Sequence, residues 1–482
     1  VIRLSRGPIR RPACRVRVDL DQRARPGPGY GAAMHITDLI QKYDIAVPRY
    51  TSYPTAPHFT HAIDGETYAR WLGEIGDAPV SLYIHVPFCA QLCWFCGCHT
   101  TATSNSAPLE AYADTVLREI ELLAAAAGRR LAVSHIHWGG GTPTAMPGPR
   151  MREIMAALRR HFAVAGDAEI AVEIDPRTVT PEILDTLAGI GCTRASLGVQ
   201  DFDEKVQAAV NRHQSLAVTK TCADGLRARG INAINLDLIY GLPYQSVASV
   251  TQTVEHALAV APERIAVFGY AHVPWMKKHQ NLLPETEMAD AAGRWAQRDA
   301  IERALVGHGF QTIGLDHYAK PDDALAIAAH THTMRRNFQG YTTDVAPVLL
   351  GLGASSIGAL PQGYVQNATP IPAYKDSIAA GRLPIARGVG LTADDRLRRD
   401  VIEQLMCNLR VDLDDTAHRH GLDPAGLHAA SDALDDMAQD GIVGWDGRTV
   451  EVPPPARPFV RNVAAAFDLY YARGVQRHAR AV

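Results

Sequence analysis

The chain has no apolar run approaching the ~18 residues that a membrane-spanning helix needs, so a bilayer span is excluded from the outset. It has no excess of either charge: 48 Lys and Arg face 51 Asp and Glu, and a net charge of −3 gives no basic field for nucleic acid. It has no apolar stretch behind its basic N-terminal residues, so those residues do not form a secretory signal. Cysteine is sparse and uneven: of eight, four lie between Cys89 and Cys98, and Cys14, Cys192, Cys222 and Cys407 are scattered. Scattered thiols in a chain of 482 residues do not make a disulfide framework, and a reducing, cytoplasmic setting is expected.

What is present is concentrated in Cys89-Ala-Gln-Leu-Cys93-Trp-Phe-Cys96, three thiols in one short loop. Zinc sites draw two separated Cys or His pairs, and no second pair follows here. Three thiolates on a [4Fe–4S] cluster leave one iron without a protein ligand, open to a substrate. The spacing resembles the signature of the radical S-adenosylmethionine (SAM) enzymes, in which the open iron chelates SAM.

From about residue 80, short apolar runs alternate with longer amphipathic ones. Strands are expected at 82–86, 132–138, 169–174, 194–199, 232–239 and 264–268. Helices are expected at 109–127, 151–162, 216–229, 247–258 and 289–306. Repeated strand–helix units imply a parallel sheet with right-handed crossovers, here an α/β, TIM-like incomplete barrel of six units, with a Rossmann-like open sheet as the structural alternative. Residues 1–33, with eight Arg and a Gly/Pro run, read as a disordered extension before Met34. Residues 34–79 are expected to pack on the barrel, 80–360 to form it, and 361–482 to form a small, mostly helical cap. In that cap, helices are expected at 393–409, 423–440 and 461–471, and a hairpin with Asp446-Gly447 at its turn.

The candidate functional residues fall at or just past strand ends: Cys89–Cys96, Gly139–Thr142, Glu173, Gln200, Asp237 and Ala271. In a (β/α) barrel those positions share one face, where active sites are assembled. The Gly139-Gly140-Gly141-Thr142 turn lets backbone approach a ligand closely but lacks the Lys of a phosphate loop. Arg212 suits bidentate carboxylate binding. His85 and His137, on strands, read as packed core histidines rather than metal ligands.

Tyr83-Ile-His-Val-Pro-Phe-Cys89, Cys93-Trp-Phe-Cys-Gly-Cys98, Trp138–Thr144, Glu173-Ile-Asp-Pro-Arg177, Gly198-Val-Gln-Asp-Phe202, Asn211-Arg212 and Asn235–Pro243 resemble the oxygen-independent coproporphyrinogen III oxidase family. So do Arg49–Ala56, Gly314–Ala319, Asn337–Thr343, Arg461-Asn462 and Phe467-Asp468, so the resemblance spans about 34–475. It implies a [4Fe–4S] cluster on Cys89, Cys93 and Cys96, and two SAM molecules. Tyr83, Gly140, Glu173 and Ile357 would hold the first SAM, and Phe95, Gly141, Thr142, Gln200, Arg212, Asp237 and Ala271 the second. Cys98 would serve activity without binding the cluster. His99 departs from the family's usual Asn.

The implied reaction is oxidative decarboxylation of two propionates of coproporphyrinogen III to vinyls, giving protoporphyrinogen IX. An unidentified reductant and electron acceptor would take part, the protein acting as a monomer. Lys277, Lys278, His317, Arg335 and Arg336 are candidates for the substrate's carboxylates. Heme-binding chaperones of the same superfamily, and a radical SAM methyltransferase that opens heme, are the alternatives.

Overall fold

The computed structural model describes residues 36–471, so the expected extension 1–33 lies outside the described residues. Twelve strands form one open sheet: β1 (Val80–Val86), β2 (Ala132–Gly140), β3 (Ala163–Ile174), β4 (Arg194–Gln200), β5 (Ala233–Tyr240), β6 (Arg264–Gly269), β7 (Gln311–Ile313), β8 (His317–Ala319), β9 (Val348–Leu352), β10 (Ile357–Leu360), β11 (Gly363–Asn367) and β12 (Ile385–Gly390). Their order is β12-β11-β10-β9-β1-β2-β3-β4-β5-β6-β8-β7. Strands β1 to β6 pair in parallel, and β9 adds a further parallel strand beside β1. The flanking strands are antiparallel, and the sheet does not close on itself. This is a six-unit partial barrel with extended edges.

The crossover helices are α1 (Ala107–Ala127), α2 (Gly148–His161), α3 (Pro181–Ile190), α4 (Leu216–Arg227), α5 (Val247–Leu258) and α6 (Ala291–Gly307). Local signals start and stop them. The Ser246 and Ser249 side chains make a capping box on α5, and the left-handed Gly128 ends α1. Five of the six match expected helices to within a few residues. Helix α3 was not anticipated, although Thr180 caps it and Pro181 opens it.

Period-two alternation along the strands decides which side chains reach the site. Leu82, Ile84, Ile136, Trp138, Val172, Ile174, Leu197, Val199, Leu236 and Leu238 all lie in the main core under the helices. Their neighbours Tyr83, His85, His137, Glu173, Ser196, Gln200, Asn235 and Asp237 therefore share the opposite face. Register aligns them: Tyr83 lies beside His137, Glu173 beside Ser196, and Ser196 beside Asn235.

A second core joins the two ends of the described chain. Ile40, Tyr43, Val47, Tyr50 and Tyr53 pack with Leu397, Val401, Leu405, Leu434, Phe459, Val463 and Phe467. The segment expected to pack on the barrel thus divides: Tyr68 and Leu72 join the main core, while 40–53 join the C-terminal core. The sheet also runs past residue 361, through β11 and β12. The expected 423–440 helix is two short ones, Ala425–His428 and Ser431–Gln439. The expected 461–471 helix stops at Ala465, because Asp468 turns back to accept from the Tyr470 amide at 2.8 Å. The hairpin forms with the left-handed Gly447 at its turn.

Glu119 ties α1 to the extra strands. Its carboxylate accepts from the Gly353 amide (2.7 Å), Asn367 Nδ2 (2.6 Å) and the Tyr374 hydroxyl (2.7 Å). Burial pushes this carboxyl up to about 7 against those three donors. An acid raised in the folded state contributes stability that is complete below its unfolded pKa and is lost as pH climbs through the folded one. Between pH 5 and pH 8 the wild type should therefore lose about 1–3 kcal/mol relative to Glu119→Gln, read from urea midpoints. Parallel pH curves for the two proteins would show that Glu119 does not titrate in this window.

Candidate functional site

The Cys loop leaves β1 and crosses the strand ends with little hydrogen bonding of its own, so other segments hold it. Asn211, with φ of 56°, donates from Nδ2 to Leu92 O (2.9 Å) and accepts from Gln91 Nε2 (2.9 Å). The Trp94 amide donates to Val210 O at 3.0 Å. Gln280 Nε2 donates to Phe95 O (2.9 Å) and Ala271 O (3.3 Å), which ties those two expected site residues together. His279 Nε2 donates to Cys96 O (2.7 Å), and Lys277 Nζ to Cys98 O (2.8 Å).

Each of the three sulfurs receives donors. The hydroxyls of Thr100 and Thr142 reach Cys89 Sγ at 3.2 and 3.3 Å. Arg177 Nη2 and Arg212 Nη1 lie 3.6 and 3.5 Å from Cys93 Sγ. The Cys98 amide lies 3.4 Å from Cys96 Sγ. Both arginines share one carboxylate, Asp175, at 2.7 and 3.3 Å, so a unit of positive charge is left over beside Cys93. Burial works to raise Asp175, but the two guanidiniums win and hold it below its usual range. The Cys96 thiol is lowered to about 7, first by its hydrogen bond with Cys98 and further by that residue's amide, Lys277 and Arg212. Burial raises Cys89 despite its two hydroxyl partners. Donors aimed at every sulfur fit thiolates that carry negative charge on to a metal cluster. Among the described residues no three Cys, His, Asp or Glu side chains converge on one point. A cluster spreads its thiolates over separate irons and does not require such a point.

Beside the loop lies a carboxylate pocket. Glu173 accepts from the Gly140 amide (3.1 Å) and contacts His137 Nε2 (3.1 Å), and the Tyr83 ring stacks on His137 at 5.8 Å. His85 donates from Nε2 to His99 O at 3.0 Å, which leaves Nδ1 to accept the Tyr83 hydroxyl at 3.0 Å. Burial lowers His85, in keeping with a neutral ring. His137 was expected as a packed core residue; it is half-buried and bound to Glu173 instead. Gly140, with φ of 115°, lies so close to His85 that a Cβ would stand 2.7 Å from its ring.

Further along, Gln200 takes a φ of 74° where β4 bulges against β5. Arg212 Nη2 donates to Gly198 O (2.6 Å) and Gln214 Oε1 (3.0 Å). Asp237 accepts from Ser196 (2.9 Å) and Asn235 (2.8 Å), and burial raises it to about 6 against those bonds. Tyr83, Glu173 and Gly140 are thus one group, and Arg212, Thr142 and Phe95 border the sulfur loop. Ile357 stands apart, on β10, two strands from Tyr83 and packed near Phe59 and Tyr364. His99 donates from Nε2 to Thr369 O at 2.7 Å.

The comparisons agree with this geometry. The Radical SAM superfamily model matches residues 83–257, and the HemN C-terminal domain model matches 391–459. The oxygen-independent coproporphyrinogen III oxidase of Bradyrhizobium diazoefficiens is 53% identical over 447 residues, 92% of this chain and 99% of that protein. This chain belongs to the oxygen-independent coproporphyrinogen III oxidase family. The Paracoccus denitrificans protein of that name is 43% identical, covering 89% of this chain and 95% of its own. The solved structure of the Escherichia coli coproporphyrinogen III oxidase, described as a radical SAM enzyme, superposes with a TM-score of 0.84. It is 35% identical and covers 90% of this chain and 99% of that one. The radical SAM superfamily carries a [4Fe–4S] cluster and SAM, and membership in the family brings both to this chain.

Several contacts that hold the site carry no sequence signal. Asp175, Arg177 and Asn211 sit inside family motifs, yet nothing in their spacing shows that they grip the loop. His279 and Gln280 lie in an irregular segment with no periodicity. Three residues expected to face the substrate are already engaged: Lys277 with Cys98 O, Arg335 with Glu403 at 3.7 Å, and His317 with Asp316 at 2.7 Å.

Gly141 tests how tightly the turn and the loop are fitted. A Cβ there would stand 2.4 Å from Thr100 Oγ1 and 2.6 Å from Phe88 O, beside Cys89. Gly141→Ala should cost about 1–3 kcal/mol and lower the iron retained after anaerobic reconstitution, by unfolding and iron assay. Wild-type values in both would show that the turn has slack.

Proposed function

We propose that this protein decarboxylates two propionate arms of coproporphyrinogen III to vinyls without oxygen, giving protoporphyrinogen IX, and works as a monomer. The observation that carries the reading is the loop whose three sulfurs each receive donors, set beside the Glu173 pocket, in a chain of this family over nine-tenths of its length. Cys89, Cys93 and Cys96 would hold the cluster. When bound, the cluster and SAM supply a 5′-deoxyadenosyl radical, given one electron from a reductant not yet identified.

The chain's own groups supply the rest. Glu173 is oriented by the Gly140 amide and His137, which suits it to an ammonium group. Tyr83, aimed by His85, would flank the same ligand, with Ile357 beyond it. Phe95, Gly141, Thr142, Gln200, Arg212, Asp237 and Ala271 would border a second SAM. Asp237 keeps its proton up to about pH 6 and below that donates as well as accepts hydrogen bonds. The reaction requires that the barrel mouth, with its ligands in place, keep water and other hydrogen donors from the propionate C–H. An electron acceptor would take up the electron left when CO2 departs.

The test is anaerobic. Reconstituted protein with SAM, reductant and coproporphyrinogen III should give protoporphyrinogen and 5′-deoxyadenosine. Tight heme binding with no decarboxylation would make the protein a heme carrier, and methyl transfer with ring opening would make it a methyltransferase.

Cys98 gives a sharper prediction. It meets Cys96 through its thiol and its backbone amide, and alanine keeps the amide. Cys98→Ala should keep close to wild-type cluster iron and lose turnover at least ~100-fold, about 2.7 kcal/mol in the barrier. Loss of the cluster in that variant would make Cys98 a ligand and overturn its assignment.

A further inference from the structure

Past the ends of β5 and β6 lies a cavity of about 60 Å³ whose lining includes Arg49, Tyr240, Asp316, Arg336 and Arg461. That volume admits a few waters or a carboxylate arm but no macrocycle. Two further arginines on its wall are answered by acids: Arg294 by Asp44 at 3.4 Å and Arg298 by Glu302 at 2.7 Å. Arg49 and Arg336 face one acid in this lining, Asp316, which is already engaged by His317 at 2.7 Å.

Backbone carbonyls help to position the guanidiniums of Arg49, Arg336 and Arg461. Arg49 donates to Gly269 O (3.1 Å), Arg336 to Arg49 O (3.3 Å) and Arg461 to Val47 O (3.4 Å). Arg336 keeps Nε and Nη1 buried with no hydrogen-bond acceptor. Buried donors without acceptors cost stability, and two guanidiniums facing one already engaged acid cost more. The place where the fold accepts that cost is next to the site. Strand register sets His317, bound to Asp316, beside Ala266, and Ala266 beside Asp237. Arg336 also lines a larger groove of about 430 Å³ beside Tyr50–Tyr53, so the cavity adjoins a space that a larger ligand could occupy.

We propose that this cavity is a carboxylate subsite, in which Arg336 and Arg49 anchor a propionate arm that the reaction leaves intact. The assignment rests on the oxidase reading. It goes to a spectator arm because a guanidinium pair stabilises a carboxylate and opposes its conversion to neutral CO2. Anchoring one arm also fixes which others reach the Cys loop.

The test titrates the reconstituted protein with coproporphyrin III, the stable fluorescent counterpart of the substrate, and with its tetramethyl ester. Arg49→Met and Arg336→Met should each weaken coproporphyrin III binding at least ~10-fold, and Arg336→Lys should recover part of the loss. Ester binding, cluster iron and SAM binding should stay at wild-type values. In turnover, KM for coproporphyrinogen III should rise more than kcat falls. Arg49 is exposed, so its variant keeps the test alive if Arg336→Met does not fold. Wild-type affinity for coproporphyrin III in folded Arg49→Met and Arg336→Lys would overturn the subsite alone, with decarboxylation intact. A wild type that neither binds coproporphyrin III nor decarboxylates coproporphyrinogen III would remove the oxidase reading and the subsite with it.

Discussion

Three sulfurs carried on eight loop residues have to be held still by groups from elsewhere in the chain. A loop this short buries little apolar surface, so its position depends on its backbone amides and carbonyls being claimed. They are claimed from two sides: Asn211 and Val210, just past β4, take the first half, and Lys277, His279 and Gln280, just past β6, take the second. The charge around the sulfurs follows the same plan. Arg212 neighbours Asn211 in sequence, so the segment that grips the loop also brings a cation to Cys93. Mechanical support and electrostatic support are one structure.

The strands make this economical. Alternation puts aliphatic side chains under the helices and polar ones on the other face, so a parallel sheet delivers Tyr83, His137, Glu173, Ser196 and Asp237 to one surface without special folding. The polar face then needs internal satisfaction, and it gets it: Tyr83 to His85, His137 to Glu173, Asp237 to Ser196 and Asn235. These bonds keep the carboxylates oriented before any ligand arrives, which is where binding energy is otherwise spent on ordering.

Much of this was legible in the sequence, for a physical reason. Strand ends in a (β/α) fold are marked by the change from period two to period 3.6, so residues at those changes could be assigned to one face. Glu173, Gln200 and Asp237 were found that way. The edge strands β9 to β12 were not, because Gly351, Gly353, Gly358 and Gly363 break the apolar alternation into short pieces. The grip of Gln280 on the loop was invisible, since a side chain in irregular backbone has no period to betray its direction. Lys277 shows the opposite error. Its position suggested a substrate partner, whereas the Cys98 carbonyl holds its ammonium group in this structure. Resemblance to a family supplied the cofactors and the reaction; spacing alone reached only as far as an open iron.

The shared core of residues 40–53 and 397–467 has a consequence for how the molecule is made. Tyr43, Val47 and Tyr50 leave the ribosome early, and the greater part of their apolar partners, from Leu397 to Phe467, follow more than three hundred residues later. Strand β1, which leads into the Cys loop, likewise waits for β9 before its second edge is covered. Contacts this distant in sequence form late, after the intervening strand–helix units have collapsed. Arg49 and Arg461 meet in one cavity only when that closure is complete, so the nascent barrel presents its thiol loop while the arginine-lined end is still open. The arginine-lined cavity is thus among the last parts of the fold to be completed.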